Sequence, residues 1–427
     1  MSRTPIMGDS RMGQLQRVRH STRASEKGRG DYVKVLVATT AGAGHFAGVL
    51  PFANACAAIG HEVRVAAPAS FAPAVERADF TLAPLADVDP AMMGAVFGRL
   101  PTLARQDADV LVIQEVFGRL DTRAALPAMR ATFDSWKPDL VLREPAELSS
   151  YVAANERGIP HIQTSIGLSS LDDLLLPLFD VPLQEIGCDP AGLRSGPRVS
   201  TLPPTFDVAS QLATGAVCYA RDVQNDAETP GRLPDWWKGD TRPLVYVTFG
   251  SVAAGMGLFP AFYARVLEQL RHVPARVLMT LGEAGDPAAL GRVPANVHIE
   301  RWWPQRDVLP NAAVVVGHGG FGTTQAALAA GVPQIAIPLF SSDQFANAAR
   351  LGEVGVGIAL TDMALGLPEG NVVPNGPAAV GRLAEALAGI LNNKDAQAAS
   401  RALACEVLAL PSATECMEAI TATPTAP

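Results

Sequence analysis

Two histidines set among glycines, His45 in TTAGAGHFAG (39–48) and His318 in VGHGGFGTT (316–324), have the types and spacing to do chemistry. An imidazole titrating near neutrality suits a general base that takes a proton from a hydroxyl. Such a base needs a carboxylate to fix its tautomer. Glu144, after PDLVL, is the candidate, with Glu147 and Asp107 as runners-up. The plainer alternatives are a packing or capping role for His45 and a solvated loop charge for Glu144. Beyond His318, Gly319, Gly320 and Gly322 allow close backbone approach to a ligand. Thr323 and Thr324 then open a helix whose free N–H groups attract an anion. No Lys follows in the GxxxxGK[ST] spacing, so a diphosphate is expected without P-loop hydrolysis.

A second group of polar and aromatic residues surrounds this cradle in the same half of the chain. Trp302 and Trp303 alternate sides in an extended segment, so one packs inward while the other offers a face to a base. Gln305 follows them. Ser251, after TFG, can donate to a phosphate oxygen. Asp343 accepts only and suits sugar hydroxyls; Gln344 donates and accepts, as vicinal hydroxyls require. The glycines near His45 approach a dinucleotide fingerprint, but the second strand ends in Ala66, Ala67 and Pro68. The acidic residue that would hold a nicotinamide cofactor's ribose is missing, so that reading fails.

The elements that must position these residues alternate as strand and helix. YVKVLVATT, HEVRVAAP, WKPDLVLREP and PHIQTS read as buried parallel strands, with helices at Leu50–Ile59 and Leu148–Arg157. PLVYVTFGS restarts the pattern, followed by RVLMTL, VHIERW, VVVGHGG and PQIAIPL. The fold class is therefore α/β, with two Rossmann-like domains. The boundaries expected are a basic leader at 1–30, disordered or lying upstream of a start at Met7 or Met12, and a first domain at 31–221. A linker at 222–242, a second domain at 243–410, and a C-terminal helix and tail at 411–427 follow.

With 427 residues, 48% hydrophobic and 18% charged, the chain is long enough for two cores. A net charge of −8 argues against nucleic acid as the main partner. No apolar run is long and unbroken enough to span a membrane. The five cysteines are scattered, without ligand spacing, as expected of free thiols in a reducing cytoplasm.

WWPQ, HGGFGTT, AAGVPQ and the PLF…DQF…N run resemble the donor signature of inverting, nucleotide-sugar-dependent glycosyltransferases with the GT-B fold. The resemblance is closest to actinobacterial enzymes that glycosylate antibiotics, and it extends from Tyr32 to the C-terminus. It implies that Trp302 stacks on the nucleobase, with Trp303 and Gln305 at base or ribose. It also implies that His318, Gly320, Thr323 and Ser251 hold the diphosphate, and that Asp343 and Gln344 hold the sugar. GAGH matches the family motif whose His is the catalytic base, here His45. Many relatives place Asp where this chain has Glu144. UDP-sugar users often carry a Glu where this chain has Ala326, so a dTDP-deoxysugar is favoured over a UDP-sugar.

The function implied is inverting transfer of a sugar to a hydroxyl of an apolar natural-product aglycone, in the cytoplasm and without a metal. The segments Met92–Leu100 and Leu168–Leu183 are expected to receive that aglycone. Transfer to an aromatic carbon, a nucleotide-sugar epimerase and a non-catalytic activator homologue are the alternatives. A homodimer stays open.

Overall fold

The computed structural model describes residues 32–222, 231–361 and 377–422. The basic leader, part of the expected linker and the extreme tail lie outside them. The first sheet is parallel throughout, with strands β1 (Lys34–Ala38), β2 (Glu62–Pro68), β3 (Thr81–Leu85), β4 (Leu140–Arg143), β5 (His161–Thr164), β6 (Arg198–Ser200) and β7 (Val217–Tyr219). Their order is β3-β2-β1-β4-β5-β6-β7. The second sheet holds β8 (Leu244–Thr248), β9 (Arg276–Thr280), β10 (Val297–Glu300), β11 (Ala312–Gly317), β12 (Gln334–Ala336) and β13 (Gly357–Ala359). Its order is β10-β9-β8-β11-β12-β13.

Both sheets thus reverse direction next to their first strand, between β1 and β4 in one and between β8 and β11 in the other. A crevice opens at such a reversal, because the connections on either side leave in opposite directions. The central strands are apolar on both faces, as a sheet covered by helices on both sides demands; β1, β8 and β11 are almost wholly buried. Strands β3, β6, β7 and β13 escape a periodicity reading. Strands β6, β7 and β13 have only 3 residues each, and β3 carries Pro84, which an edge strand tolerates.

The two domains share a packed boundary. Leu168, Leu202 and Phe206 join one apolar cluster with Phe321, Leu328 and Leu351. Arg350 ties it by donating to the carbonyls of Phe206 at 2.9 Å and Thr205 at 2.7 Å. The last helix, Ala413–Thr421, returns to the first domain and packs on the helix Ala43–Ile59. A capping box between Ser412 and Glu415 starts that helix. This return brings Cys218 and Cys416, far apart in sequence, to an Sγ–Sγ separation of 2.7 Å.

Candidate active site

The helix after β1 runs from Ala43 to Ile59, so it begins earlier than the apolar run Leu50–Ile59 suggests and includes His45 in its first turn. Gly42 precedes it in extended conformation. A Cβ there would sit 2.8 Å from His45 Cδ2, so a larger residue would push the ring aside. Phe117 packs on the imidazole, with ring centroids 5.5 Å apart.

Glu144 follows β4, the strand hydrogen-bonded to β1, and is fully buried. Its Oε2 lies 3.1 Å from His45 Nδ1, a close ionic contact rather than an aligned hydrogen bond. The carboxylate also accepts from the Thr40 N–H at 3.0 Å and the Ala146 N–H at 2.6 Å. Burial alone would raise its pKa, but His45 and these amides outweigh burial and hold it below the usual 4.5. For His45 burial opposes protonation, yet Glu144, aided by the charges of Asp343 and Asp121, lifts it above 6.5.

The runners-up do not serve. Glu147 accepts from the Ser149 and Ser150 hydroxyls and the Ser150 N–H, at the start of the helix Ser149–Arg157. Asp107 lies exposed on its helix. Asp121, which sequence reasoning missed, borders a small cavity with Glu147 and Thr40, and burial lifts its pKa to about 7. It ends the π-helical stretch Val112–Asp121, whose wide turn leaves no mark in apolar spacing.

Across the crevice, His318 follows β11 and Gly250 follows β8. A Cβ on Gly320 would fall 2.4 Å from His318 Nε2, and one on Gly250 2.9 Å from Cε1. Gly319 has φ +81°, and its carbonyl accepts from Asn347 Nδ2 at 2.8 Å. The helix opens at Phe321, two residues before Thr323, with Gly320 as its N-cap. Thr324 N–H is the first to find an intrahelical carbonyl, that of Gly320 at 3.1 Å. The N–H groups of Phe321, Gly322 and Thr323 remain at the helix's positive end. Gly322 is exposed with open space beside it. Burial holds His318 below the ordinary 6.5, against the charge of Asp343, so it meets the site as a neutral ring.

Gln305 reaches the same helix turn by donating to Thr323 Oγ1 at 2.9 Å. Trp302 is 68% exposed. Trp303 turns the other way, into a cluster with Trp236, whose ring it meets edge-on at 4.9 Å. That alternation commits much of the Trp303 ring to packing, and its Nε1 is buried. Gln344 is half committed to its own loop. Its Oε1 accepts from the amides of Leu339 at 2.8 Å and Phe340 at 3.2 Å, which leaves only its NH₂ for a ligand. Ser251 lies exposed on the loop after β8, and Asp343 opens the helix Ser342–Glu353.

The two sites belong to one crevice. The helices Ala43–Ile59 and Phe321–Ala329 touch near it, and Asp343 acts electrostatically on both His45 and His318. His45 of one domain thus lies near the free helix N-terminus at Phe321 of the other.

Residues 54–181 match the N-terminal domain, and residues 264–423 the C-terminal domain, of the erythromycin biosynthesis protein CIII-like family. The L-demethylnoviosyl transferase of Streptomyces niveus is 32% identical over 77% of this chain and 85% of its own length. The chain belongs to this family of glycosyltransferases. The aklavinone 7-beta-L-rhodosaminyltransferase of Streptomyces galilaeus is 29% identical over 77% of this glycosyltransferase and 84% of itself. The crystal structure of the glycosyltransferase VinC in complex with dTDP superposes with a TM-score of 0.69 at 23% identity, covering 91% of this chain and 98% of that one. The architecture is therefore GT-B. Among the described residues no helix is long and apolar enough to cross a membrane.

Proposed function

We propose that this glycosyltransferase moves a sugar from a nucleoside diphosphate, with dTDP favoured over UDP, to a hydroxyl of an apolar natural-product aglycone, inverting the anomeric centre. The observation that carries the reading is the placement of His45 opposite the free N-terminus of Phe321–Ala329 in one crevice.

His45, with Nδ1 against Glu144, takes the acceptor proton at Nε2 as the hydroxyl attacks the anomeric carbon. The diphosphate leaves from the opposite face, which inverts that carbon. Its growing charge is met by the Phe321, Gly322 and Thr323 amides, with His318, Ser251 and the Thr323 hydroxyl as further donors. In this proposal the amides, rather than a metal, neutralise the leaving diphosphate. Trp302 offers its open face to the base, and Asp343 and the Gln344 amide meet the sugar. Ala326, partly packed against the Trp303 cluster, puts a methyl where a carboxylate would hold a ribose 2′-hydroxyl; this favours a deoxyribose donor. Aklavinone, the acceptor in one relative's name, supports a natural-product acceptor; the noviosyl and rhodosaminyl groups in the relatives' names are the sugars transferred.

The acceptor enters over the helix Pro90–Phe97, capped by Asp89. It is rich in apolar residues, yet none is buried, and Met92 and Phe97 stand exposed. The segment Leu168–Leu183 contributes less, because Leu168, Leu176, Phe179 and Leu183 are core.

Purified protein incubated with dTDP- and UDP-sugars and a panel of phenolic and macrolide acceptors tests the proposal. The expected product is an O-glycoside of inverted configuration by NMR coupling constants. Retention, or epimerised donor formed without acceptor, would discard it.

A further inference from the structure

The helix Arg105–Leu111 of the first domain reaches the sugar-side loop of the second. Arg105 Nη1 donates to Ser342 Oγ at 2.7 Å and lies 3.3 Å from Asp109 Oδ2. Ser342 Oγ donates in turn to Asp109 Oδ2. The guanidinium sits over the Phe345 ring, 4.5 Å from its centroid. Ser342 and Phe345 flank Asp343 and Gln344, so residues of both domains close around the turn that faces the sugar.

This clasp is a costly way to join two domains. Arg105 is 3% exposed, and its Nε and Nη2 are buried without a hydrogen-bond partner among the described residues. A buried, incompletely satisfied ion pair adds little net stability compared with apolar packing. The apolar boundary around Phe206 and Leu351, with Arg350 on backbone carbonyls, already holds the domains together. What polar pairing offers is a fixed geometry. Asp343 also lies close enough to add its charge to that felt by Asp109, which places the clasp beside the sugar-binding carboxylate.

We propose that Arg105 and Asp109 are positioning residues for the sugar half of the donor, acting through Ser342. They hold the first turn of Ser342–Glu353 so that Asp343 and the Gln344 amide meet the sugar when the domains are closed. The inference rests on the nucleotide-sugar reading and deepens it. Recognition is then divided: the second domain alone binds the nucleotide, while sugar binding needs two residues lent by the first. A displacement of about 1 Å at such a contact is enough to cost roughly a hundredfold in rate.

Calorimetric titration of the full chain with dTDP, UDP, dTDP-glucose and UDP-glucose, alongside steady-state kinetics, tests this. Asp109→Asn, Arg105→Lys and Ser342→Ala should each keep wild-type affinity for the sugar-free nucleotide. Affinity for the sugar-linked form should fall roughly tenfold, as expected for a lost hydrogen bond to a charged group. Ser342→Thr, which keeps the hydroxyl, should restore it. Ser342→Ala removes a single hydroxyl and keeps the comparison valid should the buried Arg105 or Asp109 variants fold poorly. Sugar-linked and sugar-free affinities that stay in the wild-type ratio, or fall together, would overturn the proposal. Wild-type protein that binds none of the four ligands would overturn the donor reading and the clasp with it.

Discussion

His45 Nδ1 stands 3.1 Å from Glu144 Oε2, and the two follow the strands, β1 and β4, that flank the first sheet's reversal point. The carboxylate is anchored by two backbone amides and is wholly buried, so it is held beside Nδ1, on the side of the ring away from Nε2. A Glu in place of the commoner Asp therefore still reaches the ring. Its longer side chain bends back to the amides of Thr40 and Ala146.

The pair sets a pH dependence. A base must be unprotonated, so turnover should rise with pH through a value above 6.5, where Glu144 holds His45. Glu144→Gln removes the chief cause of that elevation. The acidic limb of the kcat/KM profile should move to lower pH, with the plateau reduced by about ten- to a hundredfold. A limb that stays in place would show that Glu144 does not govern the ring. Stability follows the same linkage. Glu144, held below 4.5, stabilises the fold above that value and loses its contribution as pH falls through its lower folded pKa. His45 contributes fully below 6.5 and loses its share as pH rises through its raised pKa.

The adjacent tryptophans should separate cleanly. Trp302→Ala removes an exposed ring and should weaken nucleotide binding by about 1–3 kcal/mol with an unchanged melting temperature. Trp303→Ala empties part of the Trp236 cluster and should destabilise the fold by on the order of 2–3 kcal/mol. Calorimetry and thermal melts of both variants check this. The same change in both would contradict the inward and outward assignment.

Gly320→Ala puts a methyl 2.4 Å from His318 Nε2 at the mouth of the anion cradle. The ring must rotate away, so donor affinity should drop at least tenfold, or about 1.4 kcal/mol. Gly322→Ala, beside open space, should cost the fold little and act only by crowding the diphosphate. Titration of both variants with dTDP distinguishes the two effects.

Ala326→Glu restores a carboxylate one helical turn beyond the cradle. UDP-sugar use should rise relative to dTDP-sugar use, measured as the ratio of kcat/KM values. A ratio that does not move would remove Ala326 as a ground for proposing a dTDP-sugar donor.

Much of this was legible in the sequence because the central strands are continuous apolar runs ending in glycine turns. Topology then carries His45, Glu144 and His318 to strand ends at the two reversal points. What stayed hidden depended on side-chain direction or on distant pairing. Trp303 and the Gln344 carbonyl serve packing and loop structure, which residue type alone does not reveal. Phe117 and Asp121 reach His45 from a π-helical stretch with no distinct periodicity. Arg105 and Asp109 meet Ser342 across more than two hundred residues, and only the folded chain joins them.

The most direct test of a shared crevice is single-turnover transfer by His45→Ala, with dTDP affinity measured on the same preparation. Removing the base while leaving the cradle intact should slow transfer by about 10²–10⁴-fold and leave dTDP binding unchanged. Transfer at the wild-type rate would contradict the account.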